Sequence, residues 1–529
     1  MINRSKSKKA KKKKKRIFLN ENNPVVCRYT GDPNNLFPVL SYQDEIWIPG
    51  KYAKERRVVT RSLIGKTGLF LTGFLPRVRE YLDYKKIPYT FHPEKKRIQI
   101  PIKIKNPELK GITFLDFQKK AITTMIEAKR GVWEAPTGSG KTIMFFGLMS
   151  AIDTVSVVVV HTLALFRQTY EELCKYFPKE EIGRIGDGKK EIKKYNIAMV
   201  KTLSKLEEDY KNIFGLIIID EVHHATILKG MYAQVLRRTF APYRFGVTGT
   251  IPPQESKQLI MEGLIGRVLG RTSYEELTTT GVLAIPKLKL KLVPANKKYI
   301  ALKGAYGKVY RKGIVKNRIR NQLIISTAKE LMKEGRSVLI LVERIMHGVE
   351  LSDFAEKELP KNSFIFIHGE TDDEAMTQIK QARRKWLKLH KKKEGILLDL
   401  GAKKEEIKKD LEKDKELLEV KEKAEEVKKK AEKETIDETR HRFEKKEVHC
   451  VIATRVWSEG INVKSIGAVI NAVGGNSELR AIQNFGRGMR VDEGKTDVVL
   501  VDFIDTETHR WFEKHSMERI CFYSDRGWI

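Results

Sequence analysis

The stretch Ala135-Pro136-Thr137-Gly138-Ser139-Gly140-Lys141-Thr142 constrains this chain more than any other. An apolar run, Gly131-Val132-Trp133, leads into it, and helix-forming residues follow from Ile143. Strand, small-residue loop, Lys-Thr and helix is the layout that wraps a polyphosphate. Successive backbone N–H groups and the helix N-terminus line such a loop, a lysine neutralises the terminal phosphates, and the hydroxyl beside it ligates Mg²⁺. Pro136, Thr137, Gly138, Ser139, Gly140, Lys141 and Thr142 are therefore the expected phosphate contacts, with Thr142 on the metal. Ala135 stands where a glycine is usual, but the Gly-Ser-Gly-Lys-Thr core that carries the chemistry is intact.

Such a loop needs a parallel sheet behind it, and the chain supplies two sets of strands. From Gly111 to about Ile285 apolar runs alternate with helical stretches: Val155–Val160, Ile197–Val200, Leu216–Ile219 and Arg244–Thr248. Strands that are apolar throughout argue for a parallel sheet covered on both faces. A second set runs from Arg336 to Asp505: Val338–Val342, Phe364–Ile367, Val448–Ala453, Ala468–Ile470 and Val498–Val501. The expected fold class is α/β, with two tandem parallel-sheet domains at 106–285 and 336–529 and a linker or helical segment at 286–335.

Residues 17–105 show short β-type runs broken by Gly, Pro and Asn around one helix-like segment, Leu75–Lys86. They read as a small α+β accessory domain that grips a duplex or braces its neighbour. Residues 1–16 are nearly all basic and cannot form a core. They are expected to be a disordered arm: a phosphate-tracking tail, a nuclear address where the host has a nucleus, or a solubility tail. Residues 382–435 are rich in Lys and Glu, with Leu417, Val420, Ala424, Val427 and Ala431 at 3-4 spacing. They read as a helical hairpin inserted in the second domain, either a probe of DNA branches or of a partner protein, or a solvated spacer.

The balance of 102 Lys and Arg against 68 Asp and Glu gives a net charge of +34, which points to a polyanion partner. No apolar run approaches the 18 residues of a membrane span. Four scattered cysteines without a Cys-x-x-Cys pair suggest a reducing, cytoplasmic setting without disulfides or zinc.

Two further clusters complete the chemistry. Leu216–Ile219 runs into Asp220-Glu221-Val222-His223-His224. After a phosphate loop, Asp220 would hold Mg²⁺ and Glu221 would orient and deprotonate an attacking water, with His223 coupling that site to the next strand. Gln118, shortly before the loop, offers a donor and an acceptor to an adenine edge. In Gln483-Asn484-Phe485-Gly486-Arg487-Gly488-Met489-Arg490 two arginines fall three residues apart, on one helix face. Reaching a γ-phosphate they would act as arginine fingers, worth about 10³–10⁵ in rate.

The ordered set resembles the core of the superfamily 2 helicases across roughly residues 111–505. Gln118 is similar to the adenine-reading glutamine, Ala135–Thr142 to motif I, and Val159–Leu165 to motif Ia, with His161 where proline is usual. Asp220–His223 is similar to motif II in its DExH form and Gly246–Thr250 to motif III. Val338–Arg344, Ala453–Ile461 and Gln483–Arg490 are similar to motifs IV, V and VI. Trp133–Thr137, the Asp-Glu-Val-His-His box and Thr248-Gly249-Thr250 are similar to the branch holding phage UvsW-type and XPB-like DNA helicases. Gly68–Pro76 more weakly resembles the small first domain of the UvsW type.

The resemblance implies two RecA-like domains sharing one ATP and Mg²⁺. Glu459 and Gly460 would sense the nucleotide, and Thr248, Thr250 and Gln483 would couple the sites. Thr162, Thr202, Arg344 and Thr454 would face the strand and donate hydrogen bonds to phosphates rather than read bases. The expected function is ATP-dependent, sequence-independent work on branched or duplex DNA in repair or recombination. RNA as substrate and non-unwinding duplex translocation are the alternatives.

Overall fold

The structure is a computed structural model. It describes residues 16–49, 54–93, 100–206, 210, 212–368, 436–454, 463, 465–475, 485–486, 488–489, 495–506 and 508–529. The polybasic arm (apart from Arg16) and the 382–435 insertion lie outside the described residues. The chain forms two compact units: residues 1–136 with 140–272, and residues 273–529 with the three loop residues 137–139.

The first unit opens with a four-stranded sheet. Its strands are β1 (Phe18–Glu21), β2 (Val26–Tyr29), β5 (Leu69–Leu71) and β6 (Thr90–His92), in the order β5-β2-β1-β6. A separate antiparallel ribbon, β3 (Ser41–Pro49) with β4 (Lys54–Ser62), stands between β2 and β5 in sequence. The helix Leu75–Tyr84 buries Val78 and Leu82 against Leu19, Cys27 and Phe70. This small domain is bolted to the rest of its unit. Arg77 makes a forked pair with Glu262, its Nη2 donating at 2.6 Å, and Arg267 Nη2 donates to Glu80 at 2.7 Å.

A two-residue strand β7 (Lys103–Ile104) pairs with β9 (Ile152–Asp153). The main sheet follows: β8 (Arg130–Glu134), β10 (Ser156–Val160), β11 (Ile182–Gly186), β12 (Lys189–Lys190), β13 (Tyr195–Met199), β14 (Leu216–Asp220), β15 (Tyr243–Thr248) and β16 (Val268–Arg271). The order is β12-β11-β13-β10-β14-β15-β8-β16, parallel except for the β11–β12 pair. Successive strand residues face opposite sides. Val158, Val160 and Ile218 therefore join the core with Phe146 and Phe166, while Val157, Val159, Ile217 and Ile219 join the one with Leu236 and Ile260. Both faces are covered, which is why these strands read as apolar throughout.

The second unit carries β17 (Ile285–Leu292), β18 (Val338–Leu341), β19 (Phe364–Ile367), β20 (Cys450–Ala453), β21 (Ala468–Asn471) and β22 (Asp497–Ile504), all parallel in the order β17-β22-β21-β18-β20-β19. The segment 286–335 therefore differs from the expected linker: its first residues are an edge strand in full register with β22. The alternation that hid it has a physical source. Lys287, Lys289 and Lys291 share one face of β17, where they pair with Asp497, Glu334 and Glu330. After β17 the segment is a series of short helices and turns, ending in the helix Arg318–Lys333, whose first turn is capped by the Asn317 side chain. Among the described residues, no helix is long and apolar enough to cross a membrane.

Candidate nucleotide site

Three adjacent strands, β14, β15 and β8, end at one edge of the first sheet. Their carboxyl ends carry Asp220-Glu221, Thr248 and the loop 135–140. Residues far apart in sequence meet because parallel strands deliver their following loops to the same side. Register does the alignment, with Asp220 beside Val247 and Thr248 beside Glu134.

Gly140, the last loop residue, holds φ +79 and directly precedes the helix Lys141–Ala151. Only glycine adopts that conformation cheaply. A side chain would also be blocked, since a Cβ there would fall 2.7 Å from Gln118 Nε2. Gln118 is buried, and its Oε1 accepts the Leu115 N–H at 3.0 Å, which turns its amide nitrogen toward the loop. Gln118, the expected adenine reader, thus lies against Gly140 of the glycine loop.

Lys141 Nζ donates to Glu221 Oε1 at 2.8 Å. Glu221 breaks from the strand with φ +49, a left-handed conformation that costs a residue with a side chain on the order of 1–3 kcal/mol. That kink points its carboxylate back over the loop. Its Oε2 lies 3.3 Å from His223 Nδ1 and 3.4 Å from the Thr248 hydroxyl, and the latter two atoms are 2.8 Å apart. The Thr248 hydroxyl also lies 3.1 Å from the Thr250 carbonyl oxygen. Thr248 therefore closes its own turn and touches the carboxylate as well. The Thr250 hydroxyl is buried and has no partner among the described residues.

The two adjacent carboxylates are held in opposite states. Burial and the neighbouring Glu221 charge push Asp220 up to about 6, while its Oδ1 accepts the Glu221 N–H at 2.9 Å. Burial alone would raise Glu221 too, but Lys141 and His223 outweigh it and hold that carboxyl well below its usual range. Beyond His223 the rings continue: His224 lies 4.2 Å from His223 and 4.5 Å from His161, centroid to centroid. That meeting of two sequence segments is not legible in the chain, because nothing in their spacing places His161 near His224.

The remaining predicted residues divide. The Thr162 hydroxyl accepts the Leu165 N–H at 3.3 Å and so caps the helix Leu163–Tyr176. Thr202 lies half-buried in the short helix Val200–Leu203. In the second unit Arg344 opens the helix Ile345–Glu358 with its guanidinium 5.2 Å over the Tyr310 ring, and Thr454 is buried. Glu459, Gly460, Gln483, Arg487 and Arg490 lie outside the described residues. Their neighbour Phe485 is buried against Tyr523 and Trp528, and Tyr523 is fixed by its hydroxyl donating to Asp502 at 2.6 Å.

Comparison with known proteins places this geometry. Residues 111–253 match the family described as the Type III restriction enzyme, res subunit, and residues 387–492 match the helicase conserved C-terminal domain. A DNA 3'-5' translocase XPB2 of Sulfurisphaera tokodaii is 32% identical over 190 residues, 35% of this chain and 42% of that protein. The matched stretch thus spans less than half of that relative's length. The ATP-dependent DNA helicase uvsW of Enterobacteria phage T4 is 20% identical over 441 residues, 77% of this chain and 74% of that protein. Ordered motifs, two parallel-sheet units and these matches together align the chain with the superfamily 2 helicases, on the side of UvsW and XPB.

Proposed function

We propose that this protein hydrolyses ATP to move along DNA, with branched DNA as its working substrate. The observation that carries the reading is the Lys141–Glu221–Thr248–His223 cluster, seated beside a glycine-shaped phosphate loop at the edge of one parallel sheet. The similarity to proteins named as DNA translocases and helicases supports DNA as the strand.

The donor set suits Mg²⁺. The Thr142 hydroxyl opens the helix, Asp220 offers a half-buried carboxylate at the end of β14, and hard oxygens are what this ion takes. When bound, Mg²⁺ would screen the phosphate charges. Lys141 has the central part. Paired with Glu221 it keeps that carboxylate acidic and a poor base. Drawn onto the phosphates, it leaves a half-buried carboxylate without its main counter-charge, and desolvation then raises the proton affinity of Glu221. The base is strengthened only when a nucleotide takes the lysine away. Glu221 would then accept the proton of the attacking water, and His223 and Thr248 would hold its second oxygen in place. Gln118 would read the adenine edge. Arg487 and Arg490 would supply guanidiniums to the growing phosphate charge, and Glu459, Gly460 and Gln483 would sense it.

Replacing Glu221 by Gln tests this. The variant should bind ATP and forked DNA as the wild type does and lose turnover by at least about 10²-fold, the usual contribution of a positioned base. Strand displacement on forked DNA and forked RNA, measured beside ATPase, sets the substrate. Brisk hydrolysis by Glu221→Gln, or an ATPase indifferent to every nucleic acid tried, would overturn the reading.

A further inference from the structure

From Lys297 to Arg318 the chain has eight lysines and arginines and no acidic residue. This segment follows β17 as the helices Lys297–Ile300 and Tyr306–Tyr310 and a wide turn over Arg311–Val315. It packs Val309, Tyr310 and Ile314 onto Phe512. Because β17, β18 and β22 are parallel, the residues after each strand reach one edge of the second sheet. The 297–316 segment, Arg344 and His509–Trp511 arrive there together, at the carboxyl edge where open α/β sheets bind ligands.

Aromatic rings collect at this edge. The Tyr306 centroid lies 5.5 Å from Trp511, 5.9 Å from Tyr310 and 5.8 Å from His515. Tyr306 is nonetheless 40% exposed, so part of its ring stays in water, where apolar area costs free energy. Cations frame it: the Arg510 guanidinium lies 5.8 Å over Trp511, Arg344 lies over Tyr310, and Lys303 and Lys308 are exposed alongside. Among the described residues the acidic neighbours are few. Glu350 is 3.8 Å from Lys316, Glu343 acts on Tyr310, and Glu513 is exposed on the helix Arg510–Asp525.

An acidic peptide would use the cations and leave the rings wet. A single-stranded nucleic acid uses both, its phosphates meeting the cations and its bases stacking on the aromatic faces. We propose that Tyr306 and Trp511, framed by Lys303, Lys308, Arg344 and Arg510, form a stacking platform for bases of a single strand. The platform extends the role foreseen for Arg344 from gripping a phosphate to flanking a stacked base, and it rests on the strand-handling reading given above.

The test is equilibrium binding of the full chain, without nucleotide, to labelled oligothymidylate and to an abasic strand of equal length. The wild type should prefer the strand with bases. Tyr306→Ala should bind oligothymidylate about tenfold more weakly, with its affinity for the abasic strand unchanged. Tyr306→Phe should keep the preference. Lys303→Gln with Lys308→Gln should weaken both strands alike and flatten the salt dependence by about 0.7 for each cation removed. Absence of base preference in the wild type, or a wild-type ratio in Tyr306→Ala, overturns the platform. An unchanged salt slope in the double variant removes its cations. Since no nucleotide is present, failure of the hydrolysis reading cannot imitate either result.

Discussion

Single residues in this chain act through what surrounds them rather than through what they are. Asp220 and Glu221 are adjacent carboxylates, yet one is pushed up and the other held down, because Lys141 bonds the second. Asp497 shows the same dependence away from the site. Hydrogen bonds from Arg336, at 2.8 Å, and from Lys287 hold it at about 2. A carboxylate depressed in the folded state contributes stability above its unfolded value, near 3.8, and loses it as the pH falls toward 2. Asp497→Asn should therefore destabilise the second unit at pH 6, on the order of 1–2 kcal/mol after solvent screening. The deficit should shrink between pH 4 and pH 2. Urea midpoints of both proteins at pH 6 and pH 3 check this, and a deficit independent of pH would assign the pair no electrostatic role.

Between elements, the first domain docks on the helix Glu255–Leu264 through a position that leaves no room for a side chain. Gly73 lies against the helix Glu255–Leu264, and a Cβ there would fall 1.9 Å from the Glu262 carbonyl oxygen and 2.6 Å from that of Gly263. Backbone cannot yield as a side-chain tip can. Gly73→Ala should thus separate the surfaces that Arg77–Glu262 and Arg267–Glu80 hold, destabilising the unit by about 1–3 kcal/mol. Faster proteolysis within residues 17–105, together with a lowered melting temperature, is the expected outcome. Nothing in the order of residues signals this docking, because Gly73 reads as an ordinary turn glycine and the charged partners stand 185 and 187 residues apart. β17 escaped notice for a related reason: its lysines look solvated until the acids across the fold are known.

For the whole molecule the governing quantity is charge. A net +34 requires a polyanion or strong self-repulsion, and the arm at 1–16 concentrates part of it. Deleting residues 1–16 should flatten the salt dependence of DNA binding, by up to about 0.9 for every duplex phosphate that the arm neutralises. Hydrolysis per site at saturating DNA should stay the same. Binding measured from low to moderate salt decides it, and an unaltered slope would mean the arm touches no phosphate.

The sequence alone determined the two parallel sheets and the glycine loop between β8 and its following helix, because fully apolar strands and a Gly-Ser-Gly-Lys-Thr turn admit few other arrangements. It also named Lys141, Asp220, Glu221, His223 and Thr248, since local spacing after a strand fixes where such residues emerge. Only the tertiary structure decided how they are paired: the Lys141–Glu221 bond, the kink at Glu221 and the bridge through Thr248 depend on strand order, which no local pattern encodes. The same holds for the edge where Tyr306, Arg344 and Trp511 meet. Residues far apart in the chain become neighbours there because parallel strands release their loops on one side.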